Sequence, residues 1–188
     1  MIAMVTGGAR SGKSAFAEQY AARKADRGIY VATSQALDDG MRERIARHRG
    51  RRAEMDFRWE TIEEPLDLVG VLKRTEREPV VLVDCLTLWL TNVLLRKDDA
   101  EEEASRRVLE QVDELADTLR GHSGHVVLVT NEVGDGIVPE YPLGRLYRDL
   151  AGLTNQRVAA ASDQVFLVTA GIPVELKSIA YRWPDERS

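Results

Sequence analysis

The sequence predicts an α/β three-layer sandwich with a mainly parallel sheet, on three observations. Short apolar runs recur between longer stretches of helical spacing, the pattern of parallel strands joined by covering helices. A glycine-rich octapeptide, Gly7-Gly8-Ala9-Arg10-Ser11-Gly12-Lys13-Ser14, joins the first apolar run to the first helical stretch. A chain of 188 residues encloses one substantial core and leaves little for a second, so residues 1–188 are read as one domain.

The expected strands are Ile2 to Thr6, Gly28 to Ala32, Val80 to Asp84, Val126 to Thr130 and Val165 to Thr169, each short, apolar and rich in β-branched residues. Ser14 to Lys24, with Ala, Glu, Gln and Arg, reads as the first helix. Asp38 and Asp39 can cap a second, running to about Arg47 with Met41 and Ile45 four apart, and Gly50 is expected to end it and release a basic loop. Residues 66–74 and 86–96 read as short helices. Ala100 to Leu119 reads as a long one behind the acidic run Asp98 to Glu103, with Val108, Val112, Leu115 and Leu119 as its buried stripe. A last helix near Leu143 to Ala161 precedes the final strand. From Ser178, with Pro184 beyond, the tail is expected to fray or pack on a neighbour.

Composition removes several functions. With 44% hydrophobic and 30% charged residues the chain is neither disordered nor fibrous, and no apolar run is long enough for a membrane segment. No export signal precedes the glycine motif, and there is one cysteine, so the expected compartment is the cytoplasm. Cys85 follows an apolar run and is expected to pack rather than react. A net charge of -5 argues against a general nucleic-acid binder.

The octapeptide satisfies G-x-x-x-x-G-K-[ST] in full. Glycines let successive backbone N–H groups turn inward onto phosphate oxygens, and the helix behind presents its positive end to the same anion. Gly7, Gly8, Ala9, Arg10, Ser11, Gly12, Lys13 and Ser14 are therefore expected to bind a nucleotide. Lys13 would act on the β- and γ-phosphates and Ser14 would hold Mg²⁺, which makes the fold P-loop NTPase-like. Asp84, closing an apolar strand, is the second expected metal residue, with a helix cap as its alternative.

From Arg42 to Arg52, six arginines stand in eleven residues around His48, in a chain that is acidic overall. Such crowding calls for an anion. His48 is a candidate nucleophile if neutral, though on these residues alone a solvated histidine is the more frequent outcome, and the arginines could equally face RNA. His122 and His125 are read as loop residues.

Taken together, several segments resemble the adenosylcobinamide kinase / adenosylcobinamide-phosphate guanylyltransferase family of cobalamin biosynthesis. They are Val5 to Ser14, Tyr30 to Ser34 with Asp38-Asp39, His48-Arg49 with Arg51 and Trp59, Thr61 to Pro65, Asp84 with Thr87 and Thr91-Asn92, Val129 to Pro139, and Asn155-Gln156. The resemblance implies phosphorylation of adenosylcobinamide by ATP or GTP, then transfer of GMP from GTP to that phosphate through a GMP-histidine at His48. It further implies nucleotide-binding positions at Thr33, Ser34, Arg49, Gly50, Arg51, Arg52, Glu63 and Asp84, and a homotrimer. Arg44, Arg49 and Arg51 are candidates to stabilise charge on the phosphates, and Glu132 or Asp84 to orient the attacking hydroxyl. Trp89, Tyr141 and Tyr147 could line a corrinoid pocket, but core packing is the better expectation for each. The competing readings are a single-activity small-molecule kinase and a GTP-dependent switch. The switch lacks an Asn-Lys-x-Asp element and a glycine after Asp84.

Overall fold

The computed structural model describes every residue except 37, 97–99 and 183–188, and the side chain of Arg44. Asp98 and Pro184 therefore lie outside the described residues, as does the Arg44 side chain expected to stabilise charge on the phosphates.

Seven strands form one sheet, in the order β3-β2-β4-β5-β1-β6-β7. They are β1 (Ile2–Thr6), β2 (Arg27–Ala32), β3 (Arg58–Glu63), β4 (Val80–Asp84), β5 (His125–Val129), β6 (Gln164–Thr169) and β7 (Ile172–Glu175). All neighbours pair parallel except β6 with β7. The carboxyl ends of six strands consequently share one edge of the sheet, where doubly wound proteins place their ligands. Alternate residues of each strand enter opposite cores. Ile2, Met4, Val81, Val83, Val126 and Leu128 pack on one face, and Ala3, Val5, Val80, Leu82, Val127 and Val129 on the other.

The first face is covered by α3 (Leu68–Arg74), α4 (Leu86–Leu94), α5 (Glu101–Gly121) and α6 (Pro142–Ala161). On α5 the stripe Val108, Val112, Leu115 and Leu119 is buried as expected, and each such side chain contributes about 1.5–3 kcal/mol. The opposite face carries α1 (Lys13–Ala22), whose Ala17 and Ala21 lie flat on the sheet. α2 (Asp39–Ala53) joins α1 there through ion pairs, and a short α7 (Leu176–Ile179) follows β7. Three layers result.

Several expectations are corrected. Gly50 does not end the second helix: Asp38 caps its start by accepting a 2.7 Å bond from Met41 N, and the helix continues to Ala53. Strong formers on both sides, and arginines that find partners, carry it through the glycine. His125 opens β5 instead of lying in a loop. Tyr141 is 71% exposed just before α6, whereas Trp89 and Tyr147 do pack. Ser178 lies inside α7, its backbone N–H donating to Glu175.

The sequence reading missed two strands. β3, Arg-Trp-Glu-Thr-Ile-Glu, is an edge strand with few apolar positions. β7 follows β6 through a two-residue turn, Ala170 and Gly171, both at positive φ (52° and 80°). That is the backbone hairpins require, but alanine in the first position hides the usual signal.

Candidate active site

At the end of β1 the chain turns through residues 7–12 in conformations that glycine permits. Gly7 stands at φ 154°, Arg10 at 58° and Gly12 at 97°. A Cβ on Gly7 would lie 2.4 Å from the Val168 carbonyl oxygen, so no side chain fits. The β6–β7 turn buttresses this loop, with Gly171 N donating to Ser11 O at 2.8 Å. Lys13 is buried and its ammonium donates to Gly8 O at 3.1 Å. Ser11 Oγ is buried with no hydrogen-bond partner among the described residues, leaving a donor inside a loop shaped for an anion.

Asp84 ends β4. One strand, β5, lies between β4 and β1, so the acid stands about 10 Å along the edge from the loop strand. Tyr30 Oη donates to Asp84 Oδ2 at 3.0 Å, and His48 Nδ1 lies 3.6 Å from the same oxygen, an electrostatic contact longer than a hydrogen bond. Burial, and then Asp84, push the Tyr30 phenol well above its ordinary range, so it remains a donor at any working pH.

A cavity of about 770 Å³ opens beside this pair. Ser34, His48, Arg49, Arg52, Glu63 and Asp84 line it, so six expected positions converge. Gly50, Arg51 and Thr33 do not line it. Thr33 is buried and works structurally: its hydroxyl donates to Cys85 O at 2.7 Å and accepts from Cys85 N at 2.9 Å, tying the end of β2 to that of β4. Asn92 extends the tie, donating to Thr33 O and Pro65 O at 2.9 and 3.1 Å. Cys85 is buried, as its packing role requires. No residue of the phosphate loop lines the cavity; loop and cavity are neighbours along one edge.

The arginines of α2 whose side chains are described find partners within the chain. Arg42 pairs with Asp39, Arg47 with Glu43, Arg49 with Glu63, and Arg51 with Glu18. Arg52 is buried with its guanidinium 3.5 Å from the centre of the Tyr30 ring. Among the described side chains, this helix does not present a free RNA-facing patch. Tyr30 and Glu18 are the residues that sequence reasoning missed. Tyr30 stood inside a quoted segment without a role, and Glu18 looks like any polar residue of an exposed helix.

A strand, an anion-shaped glycine turn and a helix at the first crossover of a parallel sheet, with an acid at the end of the next strand but one, define a P-loop NTPase-like fold. The comparisons then settle the family. A family model described as cobinamide kinase / cobinamide phosphate guanyltransferase matches residues 3–176, and the chain belongs to that family. It is 45% identical over 179 residues to the bifunctional adenosylcobalamin biosynthesis protein CobP of Pseudomonas aeruginosa, covering 93% of this chain and 96% of that one. It is 42% identical to the proteins named CobU of Escherichia coli and Salmonella typhimurium, covering 94% of this chain and 100% of each. Among solved structures, the RadB recombinase covers 88% of this chain and 73% of its own at 16% identity and a TM-score of 0.48, too distant to add to the strand order.

Proposed function

We propose that this chain phosphorylates the hydroxyl of adenosylcobinamide from ATP or GTP, then transfers GMP from GTP to the new phosphate, giving adenosylcobinamide-GDP, with His48 carrying the guanylyl group. One observation carries the reading in a chain of this family: His48 stands against Asp84 in a cavity that neighbours a complete phosphate loop on the same edge of the sheet.

The loop amides and Lys13 hold the β- and γ-phosphates in both reactions. In the first, the substrate oxygen bonds to the γ-phosphorus as the bond to the β–γ bridging oxygen breaks. The nucleoside diphosphate leaves, and the hydroxyl proton passes to a carboxylate, Glu132 or Asp84. In the second, a His48 nitrogen bonds to the α-phosphorus as the bond to the α–β bridging oxygen breaks, and pyrophosphate leaves. A phosphate oxygen of adenosylcobinamide phosphate then displaces the imidazole. Asp84 beside Nδ1 favours the proton there, which makes Nε2 the attacking nitrogen. Arg49 and Arg52, both on the cavity wall, are placed to meet phosphate oxygens; Arg51 is engaged by Glu18.

Ser14 Oγ and Asp84 Oδ1 take part in no hydrogen bond among the described residues, and hard oxygens of this kind suit Mg²⁺ alongside phosphate. When bound there, the ion supplies neutralising charge to the triphosphate. The same reading, resting on the family resemblance, takes residues 1–188 as one domain, assembled as a homotrimer in the cytoplasm. Among the described residues no helix is long and apolar enough to cross a membrane.

Incubation with GTP labelled at the α-phosphorus tests the proposal. The wild type is expected to carry acid-labile, base-stable label, and His48→Ala none while still phosphorylating adenosylcobinamide. Equal label on both proteins removes His48 as the carrier. Kinase activity with no label on either leaves a single-activity kinase.

A further inference from the structure

Glu18 is a carboxylate in the interior, 1% exposed, on the helix that follows the phosphate loop. A lone buried carboxylate is costly, and here two arginines of α2 compensate it. Arg51 Nε and NH2 donate to its two oxygens at 2.7 and 2.8 Å, and Arg52 NH1 lies 3.9 Å from Oε1. Arg52 rests on the Tyr30 ring, Tyr30 donates to Asp84, and Asp84 faces His48. The path returns to the helix it left. Sequence spacing makes this possible: Ser14 and Glu18 stand four apart on α1, and His48, Arg51 and Arg52 fall within one turn and one face of α2.

We propose that Glu18 is a positioning residue for guanylyl transfer. By seating Arg51 and Arg52 it fixes the roll of α2 about its axis, and so sets where the His48 imidazole stands relative to the phosphate loop. The proposal rests on the reading of His48 as guanylyl carrier. The other arginine ion pairs of α2 among the described residues are a weaker anchor. Arg42–Asp39 and Arg47–Glu43 lie within the helix itself, and Arg49–Glu63 is exposed on both sides. The hydrogen bonds it donates to Glu18 also raise the affinity of Arg51 for its own proton.

Displacing a nucleophile by about 1 Å costs on the order of 100-fold in rate. The γ-phosphoryl reaction does not use His48, and therefore serves as an internal control in the same molecule. In the full chain, Glu18→Gln is expected to slow labelling by α-phosphorus-labelled GTP about 10- to 100-fold, with the kinase rate within about twofold. Arg51→Met is expected to do the same, and the double variant to be no slower than the worse single one, because both act through one contact. Arg47→Gln on the same helix should change neither rate. Parallel loss of labelling and kinase activity in both single variants would show a structural carboxylate and overturn the proposal, as would unchanged labelling. Absence of label from the wild type overturns the guanylyl-carrier reading itself, and this inference with it.

Discussion

Lys13 and Thr33 illustrate how differently neighbouring polar residues serve this edge of the sheet. Lys13 is buried yet keeps its ammonium on the loop carbonyl of Gly8, poised for phosphate. In the proposed chemistry it acts on both reactions, so Lys13→Ala should lower kcat/KM for kinase and guanylyl transfer alike by roughly 100- to 1000-fold, measured separately for each. Thr33 instead joins two strand ends, and Thr33→Val leaves the Cys85 N–H without its buried acceptor, while the Cys85 carbonyl keeps only the bond from Trp89 N. A loss of about 1–3 kcal/mol in unfolding free energy is expected, read from denaturant titration. The histidines outside the site report on pH. Burial holds His122 below its ordinary 6.5, and burial with nearby positive charge does the same to His125. Well above pH 6.5 both rings are neutral whether the chain is folded or not. Below it the unfolded chain takes up protons first, so stability falls as pH falls towards the folded values. His122→Gln should flatten that slope, measured as unfolding free energy against pH.

Among the elements, α2 departs most from what its residues suggest. A glycine at position 50 reads as a terminator, yet it sits inside the helix, and a Cβ there would meet nothing within 4 Å. Gly50→Ala is accordingly expected to stabilise the chain by about 0.5–1 kcal/mol, seen as a raised Tm. Gly7→Ala should do the reverse, since its methyl would drive into the Val168 carbonyl. The inner strands and the phosphate loop were legible because each carries a local signal, apolar β-branched runs in one case and a fixed glycine spacing in the other. β3 and β7 were not, because edge strands lack the apolar face that marks the inner ones. At the candidate site, His48, Arg49, Glu63 and Asp84 were named from motifs and do line one cavity. Glu18 was invisible, since its burial depends on arginines that fold back from more than thirty residues away.

At the scale of the molecule, six parallel strands bring loop, acid and histidine helix to one edge, with the loop strand and the Asp84 strand separated by β5. A nucleotide gripped by the loop should stabilise the whole domain by about 2.7 kcal/mol at a hundredfold excess over Kd, and Lys13→Ala should abolish most of that shift. The central claim is that one triphosphate site serves both reactions, each nucleotide being held by its tail, with the inner phosphorus of GTP meeting His48 in the second. A crystal of the chain with a non-hydrolysable GTP analogue tests this most directly. The β- and γ-phosphates should lie against the backbone N–H groups of Gly7 to Ser14, with the α-phosphorus towards His48. A triphosphate seated elsewhere, or an α-phosphorus facing away from that imidazole, would contradict it.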